Sequence, residues 1–323
     1  MPSVNDESGL DRTSDAAHSV WNQRYGTRRI KLERHDEEPF KTGRWLGSGG
    51  WGSIYQTDVN GVIMALKKMD VADVPREHSL FENELKIMET LSGNRHRHIV
   101  ELIGSYQKRR ERRKVELGLL IWPVAQCDLS NYLDSMDTLL ACVKTRQSGG
   151  VPHAREDEDG TLEDIAKLVQ MPWKSNLDLQ SPALHEMTQI YQASVGYLRA
   201  RIGCLAEAVA YLHNDQQIRH KDLKPAQVLL APDGLWLTDF GWSLDISELG
   251  NSATNNGDSM TPRYHAPERA TRGQLFCGRS EDIFALGCIY LEMMYRIRGQ
   301  SFESNVNKRV KGWSYQANLD QIG

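Results

Sequence analysis

Asp222 and Asp239 flank a passage that reads as a tight hairpin: an apolar run at 228–230, the turn Pro232-Asp233-Gly234, and a second apolar run at 235–238. A hairpin returns the chain to where it began, so the two carboxylates meet at one end of it. One can accept a proton or orient a hydroxyl, and the other can hold a hard cation through oxygen. Lys224 stands close by in His220-Lys221-Asp222-Leu223-Lys224-Pro225-Ala226-Gln227. A second group is the glycine cluster Leu46-Gly47-Ser48-Gly49-Gly50-Trp51-Gly52-Ser53-Ile54, which fits G-x-G-x-x-G-x-V with Ile54 in the last place. Glycines let backbone N–H groups approach phosphate oxygens without side-chain obstruction. A plain glycine turn has the same composition, so the weight falls on its surroundings. It lies between two strands, which argues against a dinucleotide-binding turn between strand and helix. The third group is Lys67 with Glu84. Period-two alternation puts Ile63, Ala65 and Lys67 on one strand face, a slot for a flat base beside a phosphate contact. Glu84 falls inside the apolar stripe of Phe81, Leu85 and Met88, where an unpaired carboxylate is costly, and Lys67 is its natural partner.

These side chains need a scaffold. Strands are expected at 44–46, 53–59 and 62–69, the last two joined by the tight turn Asn60-Gly61. A helix follows at 80–91, then strands at 99–106 and 115–122 around the basic run 108–114, read as a solvated turn. Residues 141–196 are polar, hold the acidic run 156–159 and Pro152, Pro172 and Pro182, and read as an insertion with one short helix near 162–169. Ile202, Leu205, Val209 and Leu212 make a helical stripe over 199–213. Ser280 is placed to cap a last helix at 281–295, apolar on nearly all faces and so expected in a core. Residues 1–39 show no apolar periodicity and are expected to form a disordered tail.

The 323 residues are 40% apolar and 25% charged, an ordinary globular balance that excludes collagen-like, mucin-like and fully disordered chains. Lys plus Arg number 39 against 43 Asp plus Glu, and this net charge of −4 argues against nucleic acid as a partner. The five cysteines form no C-x-x-C pair and no N-x-[ST] signal is present, which favours an intracellular setting, cytoplasmic or nuclear. The longest apolar run, 117–125, is too short for a membrane span, and the polar start is no secretory signal.

In order and spacing these motifs resemble the eukaryotic protein kinases, serine/threonine type, and more loosely the kinase-like proteins of filamentous fungi. The resemblance implies an α+β, two-lobed fold: a small five-stranded antiparallel sheet with one helix over residues 40–124, then a mainly helical lobe over 125–323. It implies ATP and Mg²⁺ as cofactors and a protein substrate bearing Ser or Thr, and it leaves room for a regulatory protein partner. Gly47, Gly49 and Gly52 would cover the ATP phosphates, with Leu46 and Gly50 beside them in the nucleotide-binding set. Lys67 would contact the α- and β-phosphates and pair with Glu84. Asp222 would be the catalytic aspartate, Lys224 the phosphate-contacting lysine, Thr261 the substrate-positioning threonine, and Asp239 and Gln227 the metal ligands. Ile121 would be the gatekeeper, and the Trp122 and Val124 backbones would bond the adenine edge. Ile54, Ala65 and Leu229 would sandwich the ring, and Met88, Leu102, His220 and Phe240 would stack as a column. Ala266-Pro267-Glu268 would end the activation segment, and Asp282 would support the catalytic loop.

Three departures carry chemistry. Gln227 stands where the family has asparagine, one methylene longer, and a misplacement near 1 Å can cost ~10²-fold in rate. Lys221 replaces the usual arginine of the catalytic loop and cannot grip a phosphate through two parallel bonds, although Ser247, Ser252, Thr254 and Ser259 are available for phosphorylation. After residue 295 only about 28 residues remain, where the family has several more helices, so the C-terminal helices are expected to be missing and Glu268 to lack its usual arginine. The rival reading is a pseudokinase, a nucleotide-binding or scaffold module with weak or no catalysis.

Overall fold

A computed structural model describes residues 8–49, 52–72, 75–111, 114–150, 156–172, 184–247, 254–255, 261–270, 276–300 and 313–319. They fall into two compact units, Met1–Val124 with Asp239–Ser243, and Ala125–Thr238 with Leu244–Gly323.

The first unit holds α1 (Ser8–Tyr25), β1 (Arg29–Leu32), β2 (Trp45–Gly49), β3 (Gly52–Val59), β4 (Val62–Ala72), α2 (Pro75–Gly93), β5 (Glu101–Arg109) and β6 (Lys114–Trp122). The sheet runs β1-β5-β6-β4-β3-β2, antiparallel except for β1, which lies parallel to β5. The five expected strands are thus joined by a sixth. Asn60 and Gly61 both take positive φ, which matches the right-handed twist of the strands they join.

Residues 8–39 are not a tail. Along β4, Met64 and Leu66 alternate with Ala65 and Lys67, and all four are buried, so this strand is covered on both faces. Helix α2 covers the Lys67 face through Glu84. The opposite face belongs to a core in which Ala17, Trp21, Ile30 and Phe40 join Met64, Leu66, Tyr106 and Leu120. Ala17, Trp21 and Tyr25 are spaced at i, i+4 and i+8, a helical stripe that a mean over a polar segment conceals. The Trp21 ring takes the room left by Gly104, where an added Cβ would meet it at 2.1 Å. Ser14 Oγ donates to buried Glu101 (2.6 Å) and Arg95 pairs with Asp15 (2.6 Å). The basic run also differs from expectation. Lys108 is on β5, its side chain 3% exposed, held by Glu38 (2.9 Å) and the Asp36 carbonyl (2.8 Å).

The second unit is built on β7 (Cys127–Asp128), α3 (Leu129–Gln147), α4 (Glu156–Leu168), α5 (Leu184–Asn214), β8 (Ile218–Arg219), β9 (Val228–Ala231), β10 (Gly234–Leu237), β11 (Leu244–Asp245), β12 (Thr254–Asn255), α6 (Pro267–Ala270), β13 (Phe276–Cys277) and α7 (Ser280–Ile297). Asp128 caps α3 by accepting from the Asn131 amide. The expected insertion is largely taken up by three helices. Helix α3 runs on to Gln147 on Met136, Leu139, Leu140 and Val143, and α5 begins fifteen residues before 199 because Met187, Ile190, Ser194 and Tyr197 extend its buried stripe. The short helix near 162–169 is the second half of α4; residues 151–155 and 173–183 of that stretch lie outside the described residues. Ser280 does not cap α7 but is its first residue, and its hydroxyl donates to Glu268 instead. Nor is α7 buried all round: Ile283 and Met294 are 53% and 37% exposed.

Candidate active site

In the first unit the glycine cluster is the β2–β3 hairpin. Gly47 faces Ile54, Ser48 faces Ser53 and Gly49 faces Gly52, while Leu46 is the extra residue of a bulge after Trp45. Gly52 is required by packing: an added Cβ would lie 2.3 Å from the Lys68 carbonyl oxygen. Gly50 lies outside the described residues. Beyond the hairpin, Ile54 pairs with Lys67, and Ala65 with Ile121, so a small residue and a branched one sit side by side with the lysine two residues on. Ala65, Ile121 and Trp122 are buried and Val124 half-buried.

Lys67 Nζ donates to Glu84 Oε1 at 2.7 Å and to Asp239 Oδ1 at 3.1 Å. Burial works against the Lys67 ammonium, but the fields of Asp239 and Glu84 and the two hydrogen bonds outweigh it and raise its pKa above the ordinary lysine value. Burial pushes the Glu84 carboxyl up, against the pull of Lys67. The second contact of the lysine, Asp239, was expected as a metal ligand and not as its partner. Asp239 takes φ 64, unusual for a side chain-bearing residue, and Asn83 of α2 holds the residues after it by donating to the Gly241 and Ser243 carbonyls (3.3 and 2.9 Å). Met88, Leu102 and Phe240 are buried in this unit.

In the second unit Asp222 is 7% exposed and accepts from Lys224 Nζ at 2.6 Å; the same ammonium donates to Thr261 Oγ1 at 2.8 Å. A proton acceptor, a cation and a hydroxyl are thereby strung together from two segments that the sequence leaves far apart. The loop carrying them is held from below. Asp282, in the first turn of α7, accepts from the His220 and Lys221 amides (2.8 Å each) and from His213 Nε2 (2.9 Å). Burial opposes the Asp282 charge, yet the bond from His213 and the fields of His220 and His213 win, keeping its pKa below the ordinary value. His220 Nε2 donates to the Thr238 carbonyl (3.0 Å), and Thr238 donates its amide to the Gln227 carbonyl (3.0 Å), so the β9–β10 hairpin closes as expected. Gln227 is 8% exposed, and Leu229 is half-buried opposite Trp236. A small, shallow recess is lined by Lys221, Asp222, Thr261, Tyr264, His265 and Asp282.

Residues 179–317 match the family model described as the protein kinase domain. The chain is 27% identical over 255 residues to the LRR receptor-like serine/threonine-protein kinase GSO1 of Arabidopsis thaliana, covering 77% of this chain and 16% of that protein. It is 25% identical over 265 residues to the serine/threonine-protein kinase mph1 of Schizosaccharomyces pombe (77% and 30%). With the serine/threonine-protein kinase ste20 of Aspergillus fumigatus it shares 26% over 254 residues (77% and 22%). These matches support the eukaryotic protein kinase superfamily, serine/threonine type, as the family the chain resembles. The α+β architecture, a mixed sheet with helices, is consistent with a protein kinase domain. The chain spans less than a third of the length of these curated relatives. Among the described residues no helix is long and apolar enough to cross a membrane.

One group of buried charges in the second unit has no counterpart among the sequence expectations. Arg219, Glu281 and Arg269 form a chain of ion pairs with side chains 1%, 4% and 6% exposed. No local pattern marks it: Arg219 follows the polar run Asn214-Asp215-Gln216-Gln217 and a single apolar residue, Ile218. Glu268, for which no arginine was in view, accepts from Ser280 Oγ at 2.8 Å.

Proposed function

We propose that this chain transfers the γ-phosphoryl group of ATP to serine or threonine hydroxyls of protein substrates. The observation that carries the reading is the buried lysine shared by two carboxylates. Lys67 keeps its charge on the strand that also supplies a flat apolar slot, which suits a base beside phosphates. Asp222 would accept the proton of the attacking hydroxyl, and Lys224, tethered to Thr261, would offer its cation to the transferred group. Asp239 in the first unit would offer a carboxylate and Gln227 in the second an amide oxygen, each a hard donor of the kind Mg²⁺ takes, an ion that keeps several waters and needs few protein ligands. When bound, the ion would neutralise phosphate charge. Catalysis by the chain itself is then positioning and electrostatic stabilisation, in an intracellular setting. A radiolabelled-phosphate assay on a generic basic protein tests this. Wild type labels it and Asp222→Asn does not; equal signal from both refutes the assignment.

One observation favours a second reading, nucleotide binding without transfer. Gln227, nearly buried, carries its amide oxygen one bond further than asparagine would. Thermal shift by ATP separates the two: stabilisation that needs Mg²⁺ supports transfer, and stabilisation indifferent to it supports the binding module.

A further inference from the structure

The first turn of α7 touches both the catalytic loop and the end of the segment that carries Thr261. Its three leading residues divide the work. Ser280 Oγ donates to Glu268, Glu281 accepts from Arg269, its neighbour in α6, and Asp282 accepts from the His220 and Lys221 amides. Glu281 also reaches the other way, accepting from Arg219 at 3.0 Å, one residue before His220. One carboxylate therefore bridges two guanidinium groups, each with its side chain at most 6% exposed. Arg219 lies on the two-residue β8, directly before the loop that bears Asp222. Arg269 lies in the short α6, and its bond to Glu281 is a second tie of that segment beside the Thr261–Lys224 bond.

We infer that Glu281 is a positioning residue: through Arg269 and Arg219 it couples the placement of the Thr261–Arg269 segment to that of the catalytic loop bearing Asp222. This rests on the phosphotransfer reading for its kinetic consequence but not for the coupling itself. The charges support it. Lys221, beside the pair, has its pKa lowered by burial and by Arg219 and Arg269, so the cluster holds more cation than anion apart from Glu281 and Asp282, and Asp282 is committed to the loop amides. Glu281 is then the anion that lets two arginines share one buried space.

Arg269→Met is the informative variant, because Glu281 keeps Arg219 and no buried charge is stranded. The readout is amide hydrogen exchange of the full chain, with peptides covering 261–269 and 219–224. Both should exchange at least fivefold faster in Arg269→Met, a change local unfolding of a tied unit would produce. Arg269→Lys, which keeps one charge-assisted bond, should recover part of the protection. Loss of protection at 261–269 with 219–224 unchanged would overturn the coupling. In the phosphate-transfer assay Arg269→Met should lower kcat about tenfold at unchanged KM for ATP. A wild type without transfer would defeat the kinase reading alone, since the exchange result still decides the coupling. If Arg269→Met fails to fold, the triple variant Arg219→Met, Glu281→Leu, Arg269→Met removes every charge of the bridge at similar volume. Its folded form should show the same exchange at 219–224, and wild-type protection there would overturn the inference.

Discussion

Neutralising Glu84 tests the core of the site with a number attached. In Glu84→Gln the shape is kept and one of the two anions facing Lys67 is lost. At the 2.7 Å separation of Nζ and Oε1, Coulomb's law at an effective dielectric near 20 gives about 6 kcal/mol. Lost hydration of both groups takes back roughly half, and Asp239, 3.1 Å from the same ammonium and 31% exposed, remains as a partial substitute. The pair should thus couple by about 2–3 kcal/mol. A double-mutant cycle in urea reads this directly, using wild type, Glu84→Gln, Lys67→Met and the double variant. The double variant should be more stable than the sum of the single losses predicts, because it strands neither charge. Additivity within about 0.5 kcal/mol would refute the reasoning, since groups that share a buried contact cannot behave as strangers. The same Glu84→Gln protein should transfer phosphate about 10²-fold more slowly, as the lysine turns wholly to Asp239.

Trp21→Ala should destabilise the first unit by about 3–5 kcal/mol by urea unfolding, because the indole fills a space lined by Gly104 and Phe40; a loss under about 1 kcal/mol would mean the N-terminal helix is not part of the core. His265 has its pKa pushed down to about 4 by burial and then by Arg269, so below its ordinary value of 6.5 the unfolded chain takes up a proton that the folded chain resists. Stability should fall as pH drops from 6.5 towards 4, and the urea midpoint of His265→Gln should fall less over that window; equal slopes would contradict the placement. Gln227→Asn should raise kcat roughly tenfold by returning the amide oxygen to the shorter reach, and an unchanged or lower rate would remove Gln227 from the metal-facing set.

The candidate site was legible where a residue type contradicts its local pattern. Glu84 inside an apolar stripe demanded a cation, and the alternation of β4 said which face Lys67 was on. The β9–β10 hairpin was legible from its turn, and α2 from its period. Boundaries were less so. Prolines and charges upstream mask the stripe of Met187, Ile190 and Tyr197 that starts α5 early, and the few apolar positions of α1, Ala17 and Trp21 with half-buried Tyr25, barely move the average of a polar segment.

Local chemistry in the chain determines the glycine hairpin, the lysine–carboxylate strand and helix, and the order of acidic residues, since each follows from spacing within a few residues. Tertiary structure alone decides which distant groups share a charge. That Asp239 is a second anion for Lys67, that Thr261 holds Lys224, that Trp21 covers the back of β4, and that Glu281 joins Arg219 to Arg269 all depend on partners brought together from far along the chain. A sequence pattern records that a buried charge or an apolar face needs a partner, because leaving it unmatched is costly; only the packed chain chooses which partner arrives.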